Sequence, residues 1–284
     1  MSEAKSKDLE GKVMIVTGAN TGIGRVTAWE LAQRGAKVYL ASRSLDKTQP
    51  VVDNIRAHGG AAEFLQIDLG ELASVRRAAE SFLATGDRLD VLVNNAGLAG
   101  LRGTTKDGFE ITFGTNHLGP FLFTTMLLPR LREAGAARIV NVASVAHYKA
   151  EGLDLDNVRQ STRTTTGLPE YQHSKLCNVL FTKQLAAGEA GEGVHSYSLH
   201  PGVIASDVWR NVPWPIRPLM TLFMKSNEDG ARTSLHCATS AEVASHDGRY
   251  YNDDTREKKP SKYAEDPALA KLLWERSLAW TKAV

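Results

Sequence analysis

The sequence predicts an α/β fold, a doubly wound parallel sheet with helices on both faces, in a single domain of three αβα layers. Short β-rich runs alternate with longer helical stretches, which is the pattern of strand–helix–strand units. The β-rich runs are almost continuously apolar, as expected for strands that are buried on both faces. The 284 residues could form two domains. No linker or repeat interrupts the alternation before about residue 204, however, so one domain over 1–284 is expected.

Six runs are predicted as strands because each is short, apolar and bounded by turn residues: 13–16, 38–41, 64–67, 91–93, 138–142 and 194–199. Helical windows between them lie at 25–34, 72–84, 109–132 and 174–187. A closing helix is predicted over 267–282. Its apolar residues recur at helical spacing and indicate a contact with the core or with another subunit; they are Leu269, Leu272, Leu273 and Trp280.

Composition and charge exclude several classes of function. Hydrophobic residues make up 42% and charged residues 23%, which is typical of globular proteins and not of disordered chains. The 34 basic and 32 acidic residues nearly cancel and no basic block stands out, so nucleic-acid binding is not expected. The eight histidines are scattered without metal-ligand spacing, so no metal site is expected.

Cysteine usage and hydropathy indicate a soluble cytoplasmic protein. The two cysteines, Cys177 and Cys237, can be buried as small apolar residues in a reducing compartment. The first ten residues lack the apolar core of a signal peptide. The longest uncharged stretch, 111–129, contains too many polar residues to face lipid, so no membrane span is expected.

A glycine-rich turn joins the first predicted strand to the first predicted helix. Its glycines follow a G-x-x-x-G-x-G spacing, which permits a tight turn and a close backbone approach. A pyrophosphate can then lie at the helix N-terminus, where free N–H groups and the helix dipole favour anions. The spacing alone could be structural, but its place between a strand and a helix supports dinucleotide binding by Gly18, Asn20, Thr21, Gly22, Ile23 and Gly24.

Arg43 indicates which dinucleotide the turn prefers. An acidic residue at the end of the second strand usually holds the ribose 2′-hydroxyl of NAD. Here Ser42 is followed by Arg43, so no carboxylate repels a 2′-phosphate, and the guanidinium could bind it in a bidentate manner. The sequence therefore predicts NADP; the alternative is that Arg43 is an ordinary exposed arginine.

Asp68 and Leu69 end the third strand and are predicted to contact the cofactor. The Asp68 carboxylate could accept a hydrogen bond from the adenine amine. It could equally cap the following helix together with Glu71, three residues on, as in a capping box.

Several ordered motifs resemble one family, the short-chain dehydrogenase/reductases. They are T-G-x-x-x-G-I-G at 17–24, Asn94-Asn95-Ala96-Gly97, Asn116, Ser144, Tyr171-x-x-x-Lys175 and Pro201-Gly202. The stretches TNHLGPFLFT, HSKLCNVLFT and TSLHCA, with 27 residues from Ser144 to Tyr171, resemble most the retinol-dehydrogenase-like branch.

The resemblance implies a Rossmann fold, an oxidoreductase that uses NADP(H), and a homodimer or homotetramer. It also implies roles for further residues. Asn95, Ala96 and Gly97 would shape the loop beside the nicotinamide ribose, with Asn94 mainly structural, and Lys175 would bind that ribose. The nicotinamide carboxamide would be contacted by Pro201, Gly202, Ile204 and Ser206.

Tyr171, Lys175 and Ser144 can be assigned chemistry from their residue types. Tyr171 and Lys175 are four residues apart and share one helical face. A phenol is a poor base at neutral pH, but a nearby ammonium and the positive nicotinamide would lower its pKa and favour phenolate. Tyr171 is then a general acid for carbonyl reduction and a base for the reverse reaction. Ser144, after the fifth strand, would hydrogen-bond the substrate oxygen.

Asn116 is predicted to support this chemistry through its backbone. Pro120 lies four residues on and has no N–H for the Asn116 carbonyl, so the helix should kink there. An ordered water between that carbonyl and Lys175 would match the proton relay that the family implies. The alternative is a proline kink without catalytic meaning.

The substrate is predicted to be a small apolar carbonyl or alcohol compound. The segment 212–224 combines three prolines with Trp214, Phe223 and two methionines. It indicates either a flap over the substrate, about 204–226, or a satellite core or subunit contact. A polar surface loop is predicted at 149–169, and His147 and His173 are interpreted as structural or solvent-facing.

Two other functions remain open from the sequence. One is a regulatory or scaffold protein that binds NADP(H) without turnover. The other is an isomerase or dehydratase of the same fold that retains its cofactor.

Overall fold

A seven-stranded parallel sheet forms the centre of the protein in a computed structural model, which describes residues 7–203 and 225–283. The strands are β1 (Val13–Thr17), β2 (Lys37–Ser42), β3 (Ala61–Gln66), β4 (Val91–Asn94), β5 (Ala137–Val142), β6 (Val194–Leu199) and β7 (Arg249–Tyr251). Their order is β3-β2-β1-β4-β5-β6-β7, and every neighbouring pair is parallel. The predicted doubly wound α/β fold is confirmed. The three-residue strand β7 was not predicted.

Helices cover both faces of the sheet. They are α1 (Gly22–Gln33), α2 (Leu45–Ala57), α3 (Leu72–Ala84), α4 (Ile111–Phe113), α5 (Gly119–Glu133), α6 (Leu168–Gln184), α7 (Asn227–Thr239) and α8 (Pro267–Lys282). Short 3₁₀ turns lie at Val145–Lys149, Ala241–Val243 and Lys262–Glu265. None of the helices in the described ranges is both long enough and apolar enough to cross a membrane.

Alternate residues of the strands supply two separate cores. In β1, Val13 and Ile15 face one core, whereas Met14 and Val16 face the other. The first core is closed by α3, α5, α6 and α8, and the second by α1, α2 and α7. Because both faces are covered, the strands can be apolar at every position, which explains the continuous runs in the sequence.

The predicted helix over 109–132 is wrong as a single α-helix. The short helix α4 passes into a π-helical turn, Gly114–Leu118, before α5 begins at Gly119. The Gly119 N–H bonds to the Gly114 carbonyl, five residues back. Pro120 has no N–H to offer the Asn116 carbonyl, so the predicted irregularity near Asn116 takes the form of a π-turn.

The closing helix α8 packs on α5 and α6 and is part of the first core. Leu273 is buried, and Leu269 and Trp280 are partly buried against the same core. Leu272 is 41% exposed. The core interpretation therefore holds for three of the four predicted residues, and a role for Leu272 in a subunit interface stays a prediction.

Candidate active site

Those predicted site residues that the structure describes lie along one edge of the sheet. The strand register aligns Thr17 with Ala41, Asn94 with Asn141, and Val142 with Leu199. The loops that follow β1, β2, β4, β5 and β6 therefore leave the sheet at the same carboxyl edge. In open α/β sheets ligands bind at this edge, where the strand order reverses, here between β1 and β4.

The glycine turn after β1 packs closely against the loop after β4. Gly18 has a φ of +67°, which favours glycine, and a Cβ placed there would lie 3.0 Å from the Ala96 Cα. A Cβ at Gly24 would overlap the Asn95 side-chain amide. The first turn of α1 carries no acidic residue, so its N-terminus suits a pyrophosphate. Asn20, Gly22 and Ile23 are partly exposed there, and Thr21 is exposed.

Thr17, which the sequence analysis missed as a functional residue, fixes this arrangement. Its buried hydroxyl accepts hydrogen bonds from the Asn95 and Ala96 N–H groups, both at 3.0 Å. The Asn95 side chain donates to the Thr17 carbonyl at 2.8 Å. Asn94 is structural, as predicted, because its amide donates to Thr124 and Asn141. The one feature of the sequence that could have indicated a role for Thr17 is its position as the first residue of the T-G-x-x-x-G-I-G motif.

Arg43 is exposed immediately after β2 and forms no hydrogen bond or ion pair within the part of the chain that the structure describes. Its neighbours are engaged locally, since Ser42 bonds to Thr48 and Ser44 caps α2. The guanidinium is therefore available for a phosphate at the edge of the glycine turn.

Asp68 does not form the capping box that was one of its two predicted roles. Its carboxylate accepts the Gly70 N–H at 2.9 Å. Helix α3 begins only at Leu72, whose N–H donates to the Asp107 carboxylate at 2.8 Å. Glu71 instead pairs with Lys106 and Arg77. The sequence could not reveal this cap because Asp107 lies 35 positions away. The contact with adenine stays a prediction.

Leu69 anchors the start of α5. Its side chain is buried, and its carbonyl lies so near Gly119 that a Cβ there would overlap it. The contact joins the loop after β3 to the helix that follows the π-turn.

The Ser144 side chain lies close to the Tyr171 hydroxyl. Ser144 is buried at the start of the 3₁₀ turn after β5, and its Oγ accepts the Ala146 N–H at 3.1 Å. Burial raises the pKa of Tyr171 above its ordinary value, and the nearby Ser144 hydroxyl acts in the opposite direction. The expected lowering by Lys175 is not what dominates, because desolvation of the phenolate is the larger effect.

Lys175 lies on the same face of α6 as Tyr171, with its Nζ 5.7 Å from the centre of the tyrosine ring. The Nζ donates to the Val142 carbonyl at 2.8 Å. Burial lowers the pKa of Lys175 to about 8, so the ammonium still predominates at neutral pH. Gly97 lies between Lys175 and Asn116, because a Cβ there would be 3.4 Å from both polar groups.

Asn116 contacts the site through its side chain as well as through its place in the π-turn. Its Oδ1 accepts the Leu98 N–H, and its Nδ2 donates to the Leu98 carbonyl, both at 2.9 Å. The Nδ2 also donates to Ser174 Oγ at 3.0 Å, and Ser174 donates to the Tyr171 carbonyl at 2.8 Å. Sequence reasoning missed Ser174, which connects Asn116 to the helix that carries Tyr171.

Pro201 and Gly202 follow β6 and are buried at the same edge. Ile204 and Ser206, and the segment 204–224 that includes most of the predicted flap, lie outside the described residues. The predicted loop 149–169 contains no helix or strand from 150 to 167. It lines a cavity of about 870 Å³, together with Phe113, Glu170 and His173. In the described ranges no group of three or more His, Cys, Asp or Glu residues could hold a metal ion.

Comparisons with known proteins identify the family. The family model described as short chain dehydrogenase matches residues 12–154. Retinol dehydrogenase 12 of Mus musculus is 42% identical over 279 residues, which cover 95% of this chain and 86% of that protein. The chain belongs to the short-chain dehydrogenase/reductase family.

Within this family the chain lies on the retinol-dehydrogenase-like branch. Retinol dehydrogenase 11 of Homo sapiens is 42% identical over 275 residues, covering 95% of this chain and 85% of that protein. A crystal structure of an uncharacterized protein from Mycobacterium paratuberculosis has a TM-score of 0.77 and 32% identity, with 98% of each chain covered. The chain is thus a short-chain dehydrogenase/reductase, an oxidoreductase of CH–OH and C=O groups that uses a nicotinamide cofactor.

A further solved relative contains a cofactor. It is described as an NAD(P)-dependent gluconate 5-dehydrogenase from Beutenbergia cavernae, with NADP bound at low occupancy. Its TM-score is 0.68 at 27% identity, with 88% of this short-chain dehydrogenase/reductase and 98% of that chain covered.

Proposed function

We propose that this short-chain dehydrogenase/reductase is an NADP(H)-dependent enzyme that interconverts an apolar aldehyde or ketone and its alcohol. The observation that carries the proposal is the convergence of the Ser144 and Tyr171 side chains at the carboxyl edge of the sheet, with the Lys175 ammonium beside the tyrosine ring. A protein that only binds the cofactor has no physical need for this arrangement.

The described residues fit a dinucleotide. The tight glycine turn and the N-terminus of α1 suit the pyrophosphate, and the unpaired Arg43 suits a 2′-phosphate. Asp68, Asn95 and Gly202 lie at the same edge and would line the remainder of the cofactor. When bound, the nicotinamide supplies a hydride to the substrate carbon or accepts one from it.

Tyr171 acts as the proton donor in the direction of reduction. Because burial raises its pKa, the phenol keeps its proton at neutral pH and can give it to the carbonyl oxygen. Ser144 hydrogen-bonds the same oxygen and stabilises the charge that develops there. In the direction of oxidation the ammonium of Lys175 favours the phenolate of Tyr171. Asn116 holds the helix that carries Tyr171 in place through its hydrogen bond to Ser174.

The apolar substrate class is supported by the names of the relatives, which are retinol dehydrogenases. An NADPH-oxidation screen over aldehydes, quinones, ketosteroids and retinal identifies the compound that is turned over. Tyr171→Phe removes the transferable proton and should nearly abolish turnover while NADPH still binds. Substantial activity in that variant would refute the role of Tyr171. Tightly retained cofactor without net NADPH consumption would favour an isomerase or dehydratase.

The preference for NADP(H) is tested at Arg43. Arg43→Ala removes the cation that faces the 2′-phosphate, so KM for NADPH should rise by roughly 10-fold or more, the effect of losing a charge-assisted hydrogen bond. KM for NADH should stay unchanged, since NADH lacks that phosphate. An unchanged ratio of the two KM values would contradict the assignment.

The cytoplasmic location and the homodimer or homotetramer stay predictions. Cell fractionation and sedimentation velocity are the measurements that test them.

A further inference from the structure

We propose that His147 is a positioning residue that holds the Ser144 turn in its reactive geometry, an inference that rests on the function proposed above. His147 lies three residues after Ser144, in the 3₁₀ turn Val145–Lys149. Its side chain is completely buried. It connects the turn to the segment after β7.

Both nitrogens of the His147 ring are hydrogen-bonded, and their roles follow from their partners. Nε2 lies 3.1 Å from the backbone nitrogen of Ser261, whose N–H can only donate. Nε2 must therefore accept, so the ring proton is on Nδ1. Nδ1 then donates to the Ser144 carbonyl at 2.6 Å. One neutral tautomer satisfies both contacts, and a second proton would break the bond to Ser261.

These bonds restrict Ser144 on its backbone side. Its carbonyl also accepts the backbone N–H of His147 at 3.2 Å. Its Oγ accepts the Ala146 N–H at 3.1 Å. The turn is thus held by hydrogen bonds between its own residues. The Ser144 hydroxyl accepts one of them, so its own O–H can donate to the Tyr171 oxygen or to the substrate oxygen.

The surroundings of His147 keep the ring neutral and fixed. Its centroid lies 4.1 Å from that of Tyr148 and 4.8 Å from that of Tyr250. Lys258 and His200 are the other titratable groups near it. Burial lowers the pKa of His147, the hydrogen bond to the Ser144 carbonyl acts in the opposite direction, and the charge of Lys258 adds to the lowering. Desolvation outweighs the hydrogen bond to Ser144, so the neutral ring is favoured, which suits a positioning role and not proton transfer.

Two substitutions separate the two bonds of the ring. In His147→Asn the amide nitrogen takes the position of Nδ1, so it can still donate to the Ser144 carbonyl, and the bond to Ser261 is lost. In His147→Gln the amide oxygen takes the position of Nε2, so it can still accept the Ser261 N–H, and the bond to the Ser144 carbonyl is lost. Each variant loses one buried hydrogen bond, so the thermal midpoints should fall by similar amounts.

Activity should distinguish the variants where stability does not. We expect His147→Gln to lose roughly 10- to 100-fold in kcat, as for a displaced catalytic group, with KM for NADPH unchanged. His147→Asn should keep most of the wild-type kcat. Tyr148→Phe is the matched control, because it removes the neighbouring hydrogen bond from the Tyr148 hydroxyl to the Lys259 carbonyl, 2.5 Å long, and leaves both hydrogen bonds of the His147 ring in place. It should leave kcat unchanged.

The pH profile of alcohol oxidation adds a readout that a structural role alone would not move. Tyr171 lies beside Ser144 and Lys175, and the Ser144 hydroxyl offsets part of the rise in the Tyr171 pKa that burial causes. When Ser144 is displaced in His147→Gln, the acid limb of kcat/KM should shift to higher pH.

Two results would overturn the inference while leaving the proposed function intact. One is an equal loss of kcat in His147→Asn and His147→Gln that follows their thermal midpoints. The other is wild-type kcat and an unshifted pH profile in both variants. A wild-type protein that turns over no carbonyl or alcohol compound would instead refute the proposed function itself.

Discussion

At the scale of single residues, Thr17 shows how much of the site depends on one hydroxyl. It accepts two backbone N–H groups from the loop after β4, and it is fully buried. That loop carries Gly97, which lies between Asn116 and Lys175. The Thr17 hydroxyl therefore links the strand before the glycine turn to the loop that carries Gly97.

Thr17→Val should test this dependence, because valine keeps the volume and removes the acceptor. The Ala96 N–H would lose its acceptor and the Asn95 N–H would keep only the Val93 carbonyl, so the free energy of unfolding should fall by about 1–3 kcal/mol. The affinity for NADPH, measured by fluorescence titration, should fall as well. Urea unfolding gives the first quantity.

Thr27→Val is the matched control on α1. The Thr27 hydroxyl is buried and has no hydrogen-bond partner among the residues that the structure describes. Its removal should leave stability unchanged or increase it. Equal losses in the two variants would show that the Thr17 hydrogen bonds contribute nothing specific.

At the scale of elements, the π-turn Gly114–Leu118 decides where Asn116 lies. An uninterrupted α-helix would rotate Asn116 away from the Leu98 backbone and from Ser174. Pro120 favours the π-turn because it cannot donate to the Asn116 carbonyl. Short π-turns often occur at functional sites, where they change the direction of one side chain.

Pro120→Ala supplies the missing N–H and favours a regular α-turn. The expected result is a fall in kcat of roughly 10-fold or more, from displacement of Asn116, with the dissociation constant of NADPH unchanged. Steady-state kinetics and a binding titration measure the two quantities.

Pro129→Ala provides the control, since Pro129 is an exposed residue within the same helix α5. It should not change kcat. If both proline variants behave alike, the π-turn is not what positions Asn116.

At the scale of the whole molecule, two buried histidines connect the C-terminal part of the chain to the elements that carry Asn116 and Ser144, and a third is buried at the end of β6. His117, next to Asn116, bonds through Nε2 to Ser277 of α8 at 2.9 Å. His147 bonds to Ser261. His200 is buried where β6 ends, before Pro201. Burial lowers the pKa of His117 to about 3 and that of His200 to about 4.

These lowered pKa values predict a loss of stability in mild acid. Histidine in the unfolded chain has a pKa near 6.5, so between about pH 6.5 and 4 the unfolded state binds more protons than the folded state. The free energy of unfolding should then decrease as the pH falls, by up to about 1.4 kcal/mol per pH unit for each such histidine. Urea midpoints measured from pH 7 to pH 4.5 give this slope.

His117→Gln removes one of the titrating groups and should make the slope shallower. A stability that stays constant from pH 7 to pH 4.5 would contradict the neutral, buried state of these histidines.

The sequence by itself determined the α/β fold, the six longer strands, the family and the positions of Ser144, Tyr171 and Lys175. These follow from features that are local in the chain: apolar runs, glycine spacing, and residues four apart on a helix. Each feature can be recognised without knowing which distant segments pack together.

Only the tertiary structure decided how these parts act on one another. In the structure a π-turn interrupts the predicted single helix around Asn116, and the Asp107 carboxylate accepts the first N–H of α3. Burial raises the pKa of Tyr171. The tertiary structure also joins His147 to Ser261, residues 114 positions apart. The physical reason is that hydrogen-bond partners and desolvation depend on which surfaces meet in space, and residue spacing along the chain does not contain that information.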